Sequence, residues 1–437
     1  MRRNLEEWLA YQQQVHARGI DMGLDRVREV RRRMGTPRLA PVVITVGGTN
    51  GKGSTVAFLE AMLRAGGMRT GAYTSPHILR YNERVRVDGV DSDDAPLIDA
   101  FERIEAARRD ITLTYFEFGT LAAFDIFTRS DLDVALLEVG LGGRLDAVNI
   151  VDADCAVVIT VDLDHMEWLG QDREAIGREK AGIFRPGKPA IVGENDPPQS
   201  LVEYARAIGA RIEVLGRDFG WSPETDMLTW WHRDPAQPRY VAPAEGSPDI
   251  VLRGELALEG AFQYRNAATA IAALHVLGGR VRWDAHALEK PSKATAPMLA
   301  GRLQHLAEHP DLVIDVGHNP QAARELARWL DRHPVAGATR AVFGALKDKD
   351  IEGVADALGA RIDRWYLAGL DDESPRGETI ARLAQRVRGV LPEAVCSEYP
   401  DIPAALAAAR TDADPDDRIL AFGSFHVVAP VLRVCRV

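Results

Sequence analysis

Two neighbouring stretches, PVVITV at residues 41–46 and GTNGKGST at residues 48–55, set the architecture of this chain. A β-branched run that stops at a glycine-rich turn carrying a lysine and two hydroxyl residues is typical of a strand that feeds a phosphate-binding loop. In such a loop, backbone N–H groups surround a polyphosphate, Lys52 reaches the outer phosphates, and the hydroxyl of Ser54 or Thr55 approaches Mg²⁺. The sequence therefore predicts a nucleotide-binding α/β protein.

The spacing of this loop departs from the general phosphate-loop pattern. That pattern has four residues between its first glycine and the Gly-Lys pair, and a serine or threonine directly after the lysine. Here the position of the first glycine is taken by Val46, and Gly53 separates Lys52 from Ser54. The alternative is an ordinary glycine-rich turn between a strand and a helix. The strand pattern before the turn and the helix pattern after it favour the phosphate loop.

Length and composition limit the class of protein. The 437 residues exceed one average domain and suit two. A hydrophobic content of 46% is typical of a globular chain, and a net charge of -11 argues against a nucleic-acid partner. The 3 cysteines are far apart and lack CxxC spacing, which indicates a reducing compartment and no cysteine metal site. Without a signal-peptide core or an apolar run of ~18 residues, we expect a cytoplasmic protein with no membrane partner.

Alternating strand and helix patterns predict two α/β domains. Residues 1–289 are expected to form a doubly wound P-loop ATPase domain, with a β-rich appendage at about residues 217–257. Residues 290–300, KPSKATAPMLA, carry two prolines among small and polar residues and are the expected linker. Residues 301–437 repeat the alternation and predict a smaller, Rossmann-like α/β domain. Within the first domain, we expect Asn266 to open an alanine-rich helix.

Several ionisable residues follow predicted strands, where open α/β sheets place their ligands. Glu138 ends the run VALLE before a glycine-rich loop, so it is a candidate Mg²⁺ ligand, with an ion pair to Arg144 as the alternative. His165 follows another strand and is either a metal ligand or a polar packing residue. Its place in the same domain as a P-loop and Glu138 favours the ligand. Lys180 lies on a predicted helix, and its spacing alone indicates no more than a surface charge.

Three polar turns follow predicted strands of the second domain. They contain Asp315 to Pro320, Gly344 to Asp350 and Gly423 to His426. For each turn alone, a solvated loop is the better explanation. Because three of them occur on one domain, we expect this domain to close over the nucleotide.

Seven motifs in a fixed order resemble the folylpolyglutamate synthase branch of the Mur ligase superfamily. They are GTNGKGST, TSPH, LEVGLGGRLDAVN, DHMEWLG, REKAGIF, DVGHNP and GSFH, within about residues 20–430. IDMGLDR at residues 20–26 and TYFEFGT at residues 114–120 are similar to the dihydropteroate-binding segments of that family. The resemblance implies ATP-dependent ligation of L-glutamate to dihydropteroate and to tetrahydrofolate polyglutamates, through an acyl phosphate.

Position by position, the resemblance also implies roles for individual residues. Catalytic roles fall on Lys52, His165 and Lys180, the last of which matches a lysine that the family carbamylates. Mg²⁺ ligation is implied for Ser75, Glu138 and His165. ATP contacts are implied for Thr49, Asn50, Gly51, Lys52, Gly53, Ser54, Asn266, Arg302, Asp315 and His318. Contacts to the pterin substrate are implied for Met22, Gly23, Leu24, Asp25, Thr114, Tyr115, Phe116, Glu117, Leu145, Asp146 and Ala147.

Two other functions stay open on the sequence alone. A cell-wall Mur ligase would carry a separate domain for a uridine nucleotide, and the P-loop begins too early in this chain to leave room for one. A nucleotide-driven binding module without ligase activity is disfavoured by the metal-ligand set and by the polar strand ends of the second domain. The expected enzyme is a monomer that uses ATP, Mg²⁺ and small-molecule substrates.

Overall fold

The structure is a computed structural model that describes residues 2–224, 227–233, 250–253, 256, 258–289 and 299–435. Its residue contacts separate two units. The first unit comprises Met1–Ala257 and Gln263–Met298, and the second comprises Leu258–Phe262 and Leu299–Val437. Of the expected linker, only Leu299 and Ala300 fall within the described residues.

The first unit contains a sheet of eight strands. In chain order they are β1 (Val42–Gly47), β2 (Thr70–Tyr73), β3 (Val85–Val87), β4 (Val90–Asp91), β5 (Val134–Glu138), β6 (Cys155–Val158), β7 (Pro189–Val192) and β8 (Arg211–Val214). Their order across the sheet is β4-β3-β2-β5-β1-β6-β7-β8. Neighbouring strands are parallel along the part β2-β5-β1-β6-β7-β8, whereas β3 pairs antiparallel with both β2 and β4. All six residues of β1 are buried, because a central parallel strand is covered on both faces.

Helices accompany the strands of this sheet. They are α1 (Leu5–Val15), α2 (Asp25–Met34), α3 (Lys52–Ala65), α4 (Asp94–Arg108), α5 (Tyr115–Thr128), α6 (Met166–Leu169), α7 (Arg173–Ala181), α8 (Gln199–Ala207) and α9 (Ala261–His275). Short 3₁₀ helices occupy Tyr81–Arg84, Ala147–Ile150, Gly278–Arg280 and Ala285–Leu288. The prediction that Asn266 opens α9 is wrong, since the helix begins at Ala261 and Asn266 is fully buried within it. A polar residue ahead of an alanine run suggested a cap, but this asparagine faces the interior.

A small antiparallel sheet accompanies the first unit. Its strands are β9 (Phe219–Glu224), β10 (Met227–His232) and β11 (Ile250–Arg253), in the order β11-β10-β9. The indole Nε1 of Trp230 donates a hydrogen bond of 3.1 Å to the carbonyl of Ala268 in α9. This contact attaches the small sheet to the helix that carries Asn266.

The second unit contains a sheet of six strands. They are β12 (Gln304–Glu308), β13 (Asp311–Asp315), β14 (Thr339–Phe343), β15 (Arg364–Ala368), β16 (Cys396–Tyr399) and β17 (Arg418–Phe422), in the order β12-β13-β17-β14-β15-β16. Only β12 pairs antiparallel among them. The helices are α10 (Pro320–Arg332), α11 (Ile351–Leu358), α12 (Ile380–Val390), α13 (Ile402–Asp412) and α14 (Phe425–Cys435), with a 3₁₀ turn at Gly359–Arg361. None of the helices in the described ranges combines the length and the apolar composition of a membrane span.

Aromatic packing in the second unit yields a stability prediction. The rings of Phe343 and Phe422 stack with centroids 4.9 Å apart, and Trp365 packs edge-on against Phe343. Phe422 is fully buried, so we expect Phe422→Ala to lower the free energy of unfolding by about 3–5 kcal/mol through the cavity that it leaves. Urea unfolding followed by tryptophan fluorescence measures the change.

The matched control is Val395→Ala, because Val395 is 57% exposed. This variant should unfold within about 0.5 kcal/mol of the unsubstituted protein. Equal destabilisation by both substitutions would contradict the assignment of Phe422 to the core.

Candidate active site

The predicted phosphate loop joins β1 to α3 and is anchored to the chain that follows β6. The N–H groups of Thr49 and Asn50 donate to the carbonyl and the hydroxyl of Thr160, at 2.7 and 3.0 Å. Gly48 has φ 148, and a Cβ there would lie 3.2 Å from backbone nitrogens, so only glycine fits this close approach. Gly51 precedes α3 in the left-handed region and supplies no side-chain cap. The N-terminus of α3 is thus suited to an anion.

Lys52 and the hydroxyl residues next to it complete the loop. The Nζ of Lys52 donates to the carbonyls of Gly48 and Thr49, at 3.0 and 3.1 Å, which holds the ammonium over the loop. The hydroxyl of Thr55 donates 2.9 Å back to the carbonyl of Gly51. This bond holds the Thr55 proton within its own helix and leaves the lone pairs of the Thr55 oxygen available to a bound cation.

Asn266 of α9 lies against the same loop. A Cβ on Gly51 would come within 2.5 Å of the Oδ1 of Asn266. The Nδ2 of Asn266 donates 2.9 Å to Gln263, whereas Oδ1 is buried without a hydrogen-bond partner in the described part of the chain. An unsatisfied buried acceptor is costly, so its presence beside a phosphate loop fits a ligand that brings a donor. Gln263, which also donates 3.3 Å to Ser54, carried no motif in the sequence.

Two of the three predicted metal ligands meet at neighbouring strand ends. β2 and β5 are adjacent and parallel, so the residues that follow Tyr73 and Leu137 lie side by side. The N–H of Ser75 donates 3.0 Å to the carboxylate of Glu138, which is only 4% exposed. A hydroxyl and a buried carboxylate are oxygen ligands that Mg²⁺ and Mn²⁺ accept.

His165, the third predicted ligand, directly precedes α6 and has φ 51. Its N–H donates 2.9 Å to Asp164, and its Nε2 lies 3.9 Å from the same carboxylate. In the described ranges, no cluster of three His, Cys, Asp or Glu side chains forms a metal site. The predicted set contains only two residues of these types, Glu138 and His165, and takes its third ligand from Ser75.

Lys180 lies in α7 and is buried, with only 4% of its surface exposed. Burial lowers its pKa to about 7, and the charge of Lys52 acts in the same direction, while Asp164 and Asp146 oppose the shift. Among the described residues, the Lys180 ammonium makes no hydrogen bond or ion pair. A lysine with these properties is no ordinary surface charge.

The three segments predicted to bind the pterin substrate come together. Thr114 and Glu117 cap α5 reciprocally, and the Oε1 of Glu117 accepts 3.1 Å from Arg26 at the start of α2. A Cβ on Gly140 would lie 2.6 Å from the ring of Phe116 and 3.3 Å from the carboxylate of Asp146. The loop before Asp146 therefore packs against α5. In that loop, a Cβ on Gly142 would lie 3.9 Å from the terminal methyl of Met22, ahead of α2.

Asp146 connects these segments to the phosphate loop. Its two carboxylate oxygens accept from the N–H groups of Leu141 and Val148, at 2.8 and 3.0 Å. Burial raises the pKa of Asp146 to about 6, and these backbone bonds and the charge of Lys52 oppose the rise. The lysine of the phosphate loop and the predicted substrate segments thus act on one carboxyl group.

In the second unit, the predicted residues gather at one edge of the sheet. β13, β17 and β14 are neighbours, so the three polar turns that follow them lie next to one another. The carboxylate of Asp315 accepts 3.0 Å from the N–H of Leu303 and 2.6 Å from that of Gly317. Burial raises the pKa of Asp315, and the charge of Arg302 opposes the rise. The Nδ1 of His318 donates 2.9 Å to the carbonyl of Val316.

Comparisons with known proteins define the class of this chain. The Mur ligase middle domain matches residues 46–274, and the Mur ligase glutamate ligase domain matches residues 301–425. The dihydrofolate synthase/folylpolyglutamate synthase of Escherichia coli is 44% identical over 430 residues, covering 98% of this chain and 95% of that protein. The chain belongs to the Mur ligase family and, within it, to the dihydrofolate synthase/folylpolyglutamate synthases.

Solved structures agree with this membership. E. coli FolC in complex with DHPP and ADP superposes with a TM-score of 0.88 at 42% identity, covering 99% of this chain and 98% of that one. A bifunctional folylpolyglutamate synthase/dihydrofolate synthase with Mn, AMPPNP and L-glutamate bound gives 0.86 at 42% identity, covering 100% and 98%. The predicted α/β fold and ATP-dependent ligase class are confirmed. These relatives favour a folate ligase over the cell-wall ligase and the non-catalytic module.

Proposed function

We propose that this chain ligates L-glutamate to dihydropteroate and to tetrahydrofolate polyglutamates, with ATP and Mg²⁺. The observation that carries the proposal is the position of Asp146. Its carboxyl group contacts the loops that pack on Phe116 and lies within the electrostatic reach of Lys52. The nearness of Asp146 to Lys52 and to the pterin segments supports a reaction site in which a substrate carboxylate meets ATP.

The reaction follows from the chemistry of a carboxylate, which is a poor acyl donor. An oxygen of the substrate carboxylate attacks the γ-phosphorus of ATP, ADP leaves, and an acyl phosphate forms. The amine of glutamate then attacks the acyl carbon, loses a proton and displaces phosphate as the amide forms. Lys52 and the N-terminus of α3 stabilise the negative charge on the transferring phosphoryl group.

Ser75 and Glu138, which meet at neighbouring strand ends, support a site for the metal that this chemistry needs. Ser75, Glu138 and His165 would hold Mg²⁺, which when bound neutralises charge on the phosphoryl oxygens. We further propose that Lys180 reacts as a neutral amine with CO₂ to give a carbamate and a proton, which turns a cation into an anion next to Lys52. Its lowered pKa supports this step, because only the neutral amine reacts.

The remaining predicted residues are assigned to ATP and to the pterin substrate. We assign the phosphate contacts to residues 49–54 with Asn266, and ATP contacts on the second unit to Arg302, Asp315 and His318. The pterin contacts are assigned to residues 22–25, 114–117 and 145–147. The 3 cysteines are free thiols, in keeping with our proposal of a cytoplasmic enzyme.

Phosphate release tests the proposed function. Purified protein receives ATP and Mg²⁺ with dihydropteroate or tetrahydrofolate, each with and without L-glutamate. We expect sustained release only when a pterin substrate and glutamate are both present, and mass spectrometry should show the added glutamyl group. Release that needs neither substrate would contradict the ligase assignment. Turnover of dihydropteroate alone would remove the second activity.

Asn266 offers a separate test of the nucleotide site. Because its Oδ1 has no hydrogen-bond partner among the described residues and lies beside Gly51, we expect Asn266→Ala to weaken ADP binding by about tenfold, as the loss of one hydrogen bond to a ligand does. Calorimetric titration with ADP and Mg²⁺ measures the affinity.

Asn82 provides the control for this variant. It is also a buried asparagine of the first unit, but its Nδ2 donates to Ser92 and Asp94 at 2.8 and 2.9 Å. Asn82→Ala should lower the melting temperature and leave ADP affinity unchanged. If both variants weakened ADP binding equally, the effect of Asn266 would be one of stability and not of contact.

A further inference from the structure

Among the residues that the structure describes, one buried arginine of the first unit has no carboxylate partner. Arg84 ends the 3₁₀ helix Tyr81–Arg84 and is only 9% exposed. Its Nε donates 2.8 Å to the Nδ1 of His77, and its guanidinium lies 5.4 and 5.5 Å from the ring centres of Tyr81 and Tyr115. Within the described residues it forms no ion pair. Buried cations are normally paired, so this one is suited to an anion from outside the protein.

Other shielded arginines of the chain show what the usual arrangement is. Arg86 reaches Glu60 at 2.8 Å, Arg108 reaches Glu105 at 2.7 Å, and the side chains of these arginines are 13% and 11% exposed. The pairs use carboxylates of the same unit. Arg84, at comparable burial, instead contacts an imidazole and aromatic rings, which leaves its charge uncompensated by any acidic side chain that the structure describes.

The position of Arg84 places it at the proposed substrate site. Tyr115, which lies beside its guanidinium, belongs to the segment assigned to the pterin substrate. Burial raises the pKa of Tyr73 to about 12, and the charge of Arg84 opposes the rise, so the guanidinium also acts on this phenol. The ring of Tyr73 lies 6.0 Å from that of Phe116. His77 belongs to the same loop as the proposed metal ligand Ser75.

The two acyl substrates differ in the anions that they bring. Dihydropteroate has a single carboxylate, which reacts with ATP. A folate that carries glutamate brings two carboxylates on its terminal residue, of which the γ-carboxylate reacts and the α-carboxylate does not. A cation near the reacting end would therefore be used by the second substrate alone.

We propose that Arg84 binds the α-carboxylate of the terminal glutamate of folate substrates. His77 positions the guanidinium by accepting its Nε–H, and Tyr73 also hydrogen-bonds to it, so the remaining N–H donors are the ones that would bind the carboxylate. The surrounding tyrosine rings keep water away from this pair. The inference rests on the proposed function, because it assigns the part of the substrate that distinguishes one activity from the other.

The test compares both activities in one variant. We expect Arg84→Met to raise the KM for tetrahydrofolate by about 10- to 100-fold, the range for one hydrogen-bonded charge pair, with the KM for dihydropteroate changed by less than about threefold. Arg84→Lys should recover part of the loss. In the unsubstituted enzyme, replacing the α-carboxylate of tetrahydrofolate with a carboxamide should raise KM to a similar extent, a result that does not depend on the folding of a variant.

Arg86→Met is the control, because it removes a shielded arginine whose partner is Glu60. It should lower the melting temperature and leave the ratio of the two KM values unchanged. Equal loss of both activities in Arg84→Met would overturn the inference, and so would a higher KM of this variant for L-glutamate with either acyl substrate. An unsubstituted enzyme with the same KM for tetrahydrofolate and for its carboxamide would also overturn it. Failure of the unsubstituted enzyme to use tetrahydrofolate would instead overturn the proposed function.

Discussion

Lys52→Ala is expected to lower the turnover number by roughly 10³-fold or more, with little change in the melting temperature. The ammonium is held over the phosphate loop by the carbonyls of Gly48 and Thr49. A cation at that place stabilises the charge of the transferring phosphoryl group, and loss of one such group costs on the order of 10²–10³ or more in rate. Steady-state phosphate release with saturating substrates gives the turnover number.

Lys188→Ala provides the comparison for this variant. Lys188 lies in the same unit, is 44% exposed and forms an ion pair of 3.3 Å with Asp154. Its removal should change the rate by less than about twofold, because a surface pair contributes little to stability and this one lies outside the proposed site. Substantial turnover by Lys52→Ala would show that the phosphate site has been placed on the wrong loop.

Lys180→Ala is expected to lower the turnover number on the order of 10²–10³-fold, because under the proposed carbamylation it removes an anion within the electrostatic reach of Lys52. The lowered pKa, about 7, means that the neutral amine prevails above pH 7. Carbamate formation should therefore increase as the pH rises through 7. Enzyme prepared under CO₂-free gas should lose activity and regain it with bicarbonate.

Carbon-13 bicarbonate identifies the group directly. We expect a protein-bound carbamate signal in the unsubstituted enzyme and none in Lys180→Ala. Lys349 is the matched lysine, since it is buried in the second unit and lies 3.7 Å from Asp348. Lys349→Ala should keep the bicarbonate response. Full activity without CO₂, together with no carbamate signal, would exclude the modification and leave Lys180 as a buried amine.

Much of the fold was predictable because its signals are local. The β-branched run of β1 and the glycines after it predict a strand and a phosphate loop, since burial on both faces and positive φ restrict the residue types. Glu138 and Asp315 were recognisable because each ends an apolar run. The start of α9 was not predictable from the sequence, because a buried asparagine within a helix gives the same sequence pattern as an asparagine near a helix end.

The site was less predictable than the fold because its properties depend on contacts distant in sequence. The burial of Lys180 and its lowered pKa arise from packing and from the charge of Lys52, and nothing in its own neighbours in sequence indicates either. Gln263 contacts Ser54 across the first unit without any motif. Arg84 is unusual because no carboxylate among the described residues pairs with it. A spacing pattern in the sequence cannot reveal such a missing contact.

The bonds from Thr49 and Asn50 to Thr160 have a consequence for the thermodynamics of nucleotide binding. They join the phosphate loop to the segment after a neighbouring strand through groups of the protein itself. The conformational entropy of the loop is therefore lost when the sheet forms, and little of it is lost again on association. Nucleotide affinity in this enzyme is accordingly coupled to the folding stability of the first unit's central strands.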